Sequence, residues 1–150
     1  MLTIARLPLT CLVLLAGCDS SRPKLVQHDP TQEPWYREST AQLTALSADA
    51  RKQFKEGHPD AASQLIQTSE PLVKRLLGVP RPTLEVADAA SDLDDLYGRM
   101  LLSNRHYGWA RLQFQKNLAR WKNWTPQTGE SQKRLQQAKD AIAECDRHIQ

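Results

Sequence analysis

The chain has 150 residues, and its 20 Lys and Arg nearly balance its 17 Asp and Glu. This balance argues against a nucleic-acid binder, because such proteins usually carry a clustered excess of basic residues. The length allows one domain of ordinary size with its own hydrophobic core.

The first 17 residues have the composition of an export signal. Arg6 precedes an apolar stretch over residues 7–16, and the stretch closes with the small residues Ala16 and Gly17. Ten residues at ~1.5 Å per residue cover about 15 Å, half of what a membrane-spanning helix needs. The segment therefore predicts a cleaved signal peptide rather than a permanent span.

The run Leu15-Ala16-Gly17-Cys18 resembles the lipobox of bacterial lipoproteins. This resemblance implies that residues 1–17 are removed and that the thiol of Cys18 carries a diacylglyceryl group, often beside an acylated amine. Membrane lipid is then a partner through acylated Cys18, and two chains suffice for stable anchoring. In enteric-type lipoproteins, an Asp in the next position is associated with retention at the inner membrane. Asp19 therefore favours the extracytoplasmic face of the inner membrane.

Residues 18–34 predict a lipidated N-terminus followed by a flexible tether. The sequence from Asp19 to Pro34 is polar, contains three prolines and has almost no periodicity. Such a composition is typical of a linker.

Residues 35–150 predict a single all-α domain of about five helices. Apolar residues recur three and four positions apart, and the alternation of a strand is absent. A break or kink is expected at Pro71, inside the second helix. The five helices are expected after Ser39 or Thr40 up to Gly57, from Pro59 to Gly78, from about Thr83 to Asn104, from about His106 to Trp124, and after a loop with Pro126 and Gly129.

These helices predict either an antiparallel bundle or a stack of helical hairpins. Small residues at matching places in two hairpins resemble the tetratricopeptide pattern, in which they let paired helices approach closely. The resemblance implies that the last helix caps the stack. Two departures stand out: the signature Trp is missing, and equivalent positions lie 48 residues apart rather than 34. The positions concerned are Ala50, Gly57 and Ala62 in the first hairpin, and Gly98, Ala110 and Phe114 in the second.

Cys145 is the single thiol left once the signal is removed and Cys18 is lipidated. Its place on the apolar stripe of the fifth helix favours burial, and the alternative is a bond to another chain. His148 follows three residues later, but a structural zinc site needs about four ligands. The other histidines are scattered, so the sequence predicts neither a metal nor a cofactor.

No motif of a catalytic site is present, which predicts a protein that is not an enzyme. The carboxylates at Asp92, Asp94 and Asp95 are expected on a solvated face, with Arg99 placed to pair with Asp95. A small envelope enzyme remains a second alternative, and it would use a group such as Asp94 or His106.

The segment 105–124 mixes basic and aromatic residues. Phe114 and Trp121 are expected in the core, whereas Trp109 and Trp124 are the better candidates for exposure. The main hypothesis is a scaffold domain that binds another envelope protein through exposed aromatic and basic residues. The alternative is a membrane-surface or sensing domain that uses the same face. The candidate interaction residues are Arg105, Trp109, Arg111, Lys116 and Trp124.

Overall fold

The computed structural model describes residues 28–149, and this part of the chain is all-helical, as predicted. The signal peptide, Cys18 and Asp19 lie outside the described residues. A short 3-10 turn precedes five α-helices, which confirms the expected class and helix number. The elements are the 3-10 turn Pro30–Gln32, α1 (Pro34–Lys55), α2 (Pro59–Leu77), α3 (Leu84–Ser103), α4 (Tyr107–Lys122) and α5 (Gly129–Ile149).

The first helix begins five residues earlier than the predicted cap, so that prediction is wrong. Pro34 occupies the first turn of α1, where its fixed φ and missing N–H cost nothing. Ser39 and Thr40 are buried inside the helix, and the Thr40 hydroxyl donates to the Tyr36 carbonyl at 2.8 Å. The earlier start at Pro34 is stabilised by the burial of the Tyr36 side chain, which is 1 % exposed.

The second helix continues through Pro71, so of the two expected outcomes, a break or a kink, the break does not occur. The missing N–H and the ring of a proline disturb one turn, yet α2 is assigned without interruption on both sides. Ser69 and Leu76, on either side of Pro71, are both buried and hold the two halves of α2 against the core.

The last helix, α5, begins at Gly129, which was expected in the preceding loop.

The helices pair as two antiparallel hairpins, α1–α2 and α3–α4, and α5 covers α4. The first helices of the two hairpins run in the same direction. Thr44 lies beside Glu85, and seven residues further along each helix Arg51 lies beside Asp92. The domain is therefore a row of hairpins closed by its last helix.

The turns of the two hairpins are built alike, 48 residues apart. In each, a histidine amide donates to the carbonyl five residues earlier, from His58 to Gln53 at 2.9 Å and from His106 to Leu101 at 2.8 Å. The residue before each histidine has a positive φ, 84° at Gly57 and 62° at Arg105. This 6→1 bond with a left-handed residue is a common way to end a helix. It supports the 48-residue equivalence that the sequence indicated.

Close approach inside the second hairpin depends on Gly98. A Cβ placed on Gly98 would lie 2.6 Å from Cε1 of Phe114, a ring that is itself fully buried. Ala110 is also fully buried, as are Ala50 and Ala62 in the first hairpin. Gly57 differs from this set, because it is exposed at the turn and has open space around its Cα.

Three buried polar side chains fix the register of α4 on α3. Trp121 Nε1 donates to the Ser91 hydroxyl at 2.8 Å, and Asn117 Nδ2 donates to the Ser91 carbonyl at 2.9 Å. Buried polar groups are tolerated when they are paired in this way. The fully buried positions of Phe114 and Trp121 confirm the sequence prediction.

Replacement of Gly98 by alanine is expected to lower the free energy of unfolding by about 1–3 kcal/mol, because the new methyl group would overlap the Phe114 ring. Gly108→Ala is the matched control. Its Cβ would meet nothing within 4 Å, and stability should hold or rise by up to about 1 kcal/mol. Urea unfolding followed by circular dichroism measures both variants. Equal stability of the two would contradict the close-packing account.

Candidate functional site

A groove with a volume of 790 Å³ lies between the parallel helices α1 and α3. We call it the α1–α3 groove. Its floor includes Ser47 and Ala89, whose small side chains let the two helices approach. Its lining residues are Thr44, Ser47, Ala48, Arg51, Lys52, Lys55 and Glu56 from α1, and Leu84, Glu85, Asp88, Ala89 and Asp92 from α3.

The two walls of the groove carry opposite charges. The α1 wall is predominantly basic, with Arg51, Lys52 and Lys55, whereas α3 contributes carboxylates at helical spacing. Thr44 donates a long hydrogen bond of 3.4 Å to Glu85 across one end. Arg51 and Asp92 already pair with each other across the groove, so a bound segment would meet mainly Lys52 and Lys55 on the α1 wall and Glu85 on the α3 wall.

Asp92 joins three helices at the edge of this groove. One of its carboxylate oxygens lies 2.8 Å from Arg51 Nη2 on α1, and the other accepts a hydrogen bond from Arg134 Nη1 on α5. The guanidinium of Arg134 also contacts Glu130 at 3.1 Å. Because Asp92 and Arg134 are only about a quarter exposed, water screens this network less than it screens an ordinary surface pair.

Asp88 is the poorly satisfied member of the same cluster. Its Oδ1 is buried and makes no hydrogen bond, although Arg134 Nε lies 3.4 Å away. Burial raises the pKa of the Asp88 carboxyl, and the nearby charges of Glu130 and Asp92 add to the rise, while Arg134 opposes it. Ionised Asp88 is therefore a cost to the folded state at neutral pH.

Lys52 and Lys55 are free to meet a partner. Both are exposed, and neither forms an ion pair with any residue in the range 28–149. They stand one turn apart on α1, on the rim of the α1–α3 groove. Sequence reasoning missed these residues and the groove itself.

The acidic cluster of α3 corrects one expectation. Asp92 and Asp94 do not form a solvated face, because both are partly buried in ion pairs between helices. Asp94 bonds Lys116 and Arg120 of α4, each at 2.8 Å. The expected pair within α3 does form, with Arg99 Nε 2.9 Å from Asp95.

The structure does not gather the five candidate interaction residues on one face. Trp109 is 66 % exposed near the start of α4, and Arg105 is exposed at the turn before it. Arg111 turns to α5, where its Nε lies 2.6 Å from Asp146, and Lys116 turns to α3. Trp124 is half-buried beyond the other end of α4, with its ring 5.8 Å from that of Trp121.

Cys145 is fully buried, as the apolar stripe predicted, and it forms no disulfide within residues 28–149. Burial raises the pKa of its thiol, and the acids Glu144 and Asp146 on either side raise it further. His148 stacks on Tyr107 with ring centroids 4.5 Å apart, so its ring packs at the α4–α5 contact. Within residues 28–149, no three His, Cys, Asp or Glu side chains converge as a metal site would require.

No protein-family model, curated protein or solved structure matches this chain. No helix between residues 28 and 149 is both long enough and apolar enough to cross a bilayer.

Asp92→Asn is expected to lower the free energy of unfolding by about 1–3 kcal/mol, because it weakens charge-assisted bonds to two helices at once. Asp88→Asn is the matched variant one helical turn away. It should cost less at neutral pH, because it removes the charge that burial disfavours.

The two variants should also differ in pH dependence. Since the folded pKa of Asp88 is raised, its favourable contribution is present below its ordinary pKa of about 3.9 and is lost as the pH rises toward the folded value. Asp88→Asn should therefore gain stability relative to wild type across that window. Urea titrations from acid to neutral pH measure this, and a relative loss as the pH rises would contradict the assignment.

Proposed function

We propose that this chain is a lipid-anchored, non-catalytic bacterial envelope protein whose helical domain holds another protein. The lipobox ending at Cys18 supports the anchor, and Asp19 favours the extracytoplasmic face of the inner membrane. The observation that carries the binding role is the α1–α3 groove, a concave surface between two parallel helices with free cations on its rim.

The size and the chemistry of the groove suit a polypeptide segment. Its 790 Å³ is within the range of sites that bury a ligand, and it lies along the two helices. Opposite charges on its walls would orient a chain that carries both signs, because a reversed segment would bring like charges together. The resemblance of the hairpins to tetratricopeptide hairpins favours the same role.

The non-catalytic part of the proposal is supported by the way the acidic groups are occupied. Asp92 and Asp94 each hold two basic side chains, and Asp95 holds Arg99. A general acid or base needs a group that can exchange its proton with a substrate. His106 is exposed at the turn that precedes α4, where its main chain forms the hairpin.

Site-specific photo-crosslinking in living cells tests the binding role. A photoreactive residue in place of Lys52 lies on the rim of the groove, whereas one in place of Lys139 on the exposed side of α5 is the control. The proposal predicts one discrete adduct from position 52 and none of that size from position 139. The adduct should fall when Lys55→Glu reverses a charge beside it, and also when Cys18→Ser removes the anchor.

Two outcomes would contradict the role of the groove. The first is the absence of any adduct from position 52 while the protein is correctly membrane-bound. The second is an identical set of adducts from positions 52 and 139, which would indicate random collision at a crowded surface.

A further inference from the structure

Tryptophan and basic side chains lie at the end of the domain where α1 begins. α1 and α3 begin there, and α2 and α4 end there, because the helices alternate in direction. The α2–α3 loop meets the start of α1, where the Thr83 amide donates to the Tyr36 hydroxyl at 3.0 Å. We call this surface the tether-end pole, and it comprises Trp35, Arg75, Val79, Arg81, Leu84, Lys122 and Trp124.

The pole combines half-buried indole rings with cations that lack acidic partners. Arg75 stacks over Trp35 with its guanidinium carbon 4.1 Å from the ring centroid. Neither Arg81 nor Lys122 forms an ion pair within residues 28–149, and both are exposed. Tryptophan and basic side chains together are typical of surfaces at the headgroup level of a bilayer.

Two of the acids at this end, Asp29 and Glu33, have partners within the described residues. Asp29 accepts hydrogen bonds from the amide and hydroxyl of Thr31, at 3.0 and 2.8 Å. These bonds, with a smaller effect of Arg81, lower the pKa of Asp29. Glu33 lies 2.9 Å from His28 Nε2. Arg75, Arg81 and Lys122 form no ion pair within the described residues, and the exposed acids Glu38 and Glu85 lie at the same end of the domain.

Chain length places this end nearest to the anchor. Ten peptide units separate Cys18 from His28, which is about 35 Å at full extension and roughly 17 Å for a flexible coil. Trp109 and its exposed neighbour Leu112 lie toward the opposite end, because α4 is about 24 Å long and runs away from them to the pole. A bilayer that holds Cys18 would thus meet the pole before it meets Trp109.

We propose that the tether-end pole rests on an anionic bilayer, with Trp35 and Trp124 at the interface and Arg75, Arg81 and Lys122 facing lipid headgroups. This inference rests on the proposed anchor at Cys18. It replaces the single membrane face of residues 105–124, whose two exposed or half-exposed indoles lie toward opposite ends of the domain. Leu84 belongs both to the pole and to the near end of the α1–α3 groove, and in this orientation the other end of the groove, at Lys52 and Lys55, lies away from the bilayer.

Quenching of tryptophan fluorescence by brominated lipids tests the proposal. The full lipidated protein is reconstituted in vesicles of phosphatidylcholine and phosphatidylglycerol with brominated acyl chains. Three variants each keep one of Trp35, Trp109 and Trp124, with phenylalanine at the other two, and all keep the fully buried Trp121 as a constant background. The proposal predicts strong quenching of Trp35 and Trp124 and little quenching of Trp109.

Charge removal gives a second readout. Arg75→Gln, Arg81→Gln and Lys122→Gln together should abolish the quenching of Trp35, because each cation near an anionic surface changes the affinity by about fivefold. Lys52→Gln, Lys55→Gln and Arg105→Gln form the matched control, with three exposed cations away from the pole, and they should leave quenching intact. High salt, or vesicles of phosphatidylcholine alone, should also abolish the quenching of Trp35.

Each other result overturns part of the account. Quenching of Trp109 above Trp35 would overturn the orientation, and equal quenching of Trp35 in neutral vesicles would overturn the role of anionic headgroups. Flotation of the protein with the vesicles but without quenching of Trp35 would overturn the pole and leave the anchor standing. Failure of the processed protein to float would instead overturn the anchor.

Discussion

The carboxylate of Asp92 is the constraint on which the shape of the groove depends. It joins α1 to α3 through Arg51 and α3 to α5 through Arg134, so one side chain fixes three helices. Within each hairpin, small residues and buried rings already set the spacing. The α3 helix packs against both the first hairpin and α4. Asp92 is partly buried between these parts, so its charge would be costly without a partner. The ion pairs of Asp92 therefore hold in place the same helices that form the groove.

The α3 helix packs against α1, α2 and α4. One face packs on the first hairpin, another accepts Phe114 at Gly98, and Ser91 receives the polar side chains of α4. Its carboxylates are divided between α1, α4 and α5. A helix with so many neighbours restricts how the others can be placed.

The fold was largely predictable, because the three- and four-residue spacing of apolar positions survives in every helix. The predicted start of α1 was wrong, and of the outcomes expected at Pro71 the break does not occur. Burial of Tyr36 stabilises a start of α1 at Pro34, and burial of Ser69 and Leu76 stabilises α2 on both sides of Pro71. The groove was missed although a signal existed. Acids at positions 85, 88 and 92 follow helical spacing, as do the cations at 51 and 55. Only the packing of α1 beside α3 shows that these two stripes face each other.

Both functional proposals depend on the chemistry of Cys18, since the groove can serve an envelope partner and the pole can meet a bilayer only if the domain is held there. Mass spectrometry of the mature protein purified from membranes tests this most directly. The account predicts an N-terminal peptide that begins at Cys18 and carries two or three acyl chains. A membrane-derived protein that begins elsewhere, or that begins at an unmodified Cys18, would contradict it.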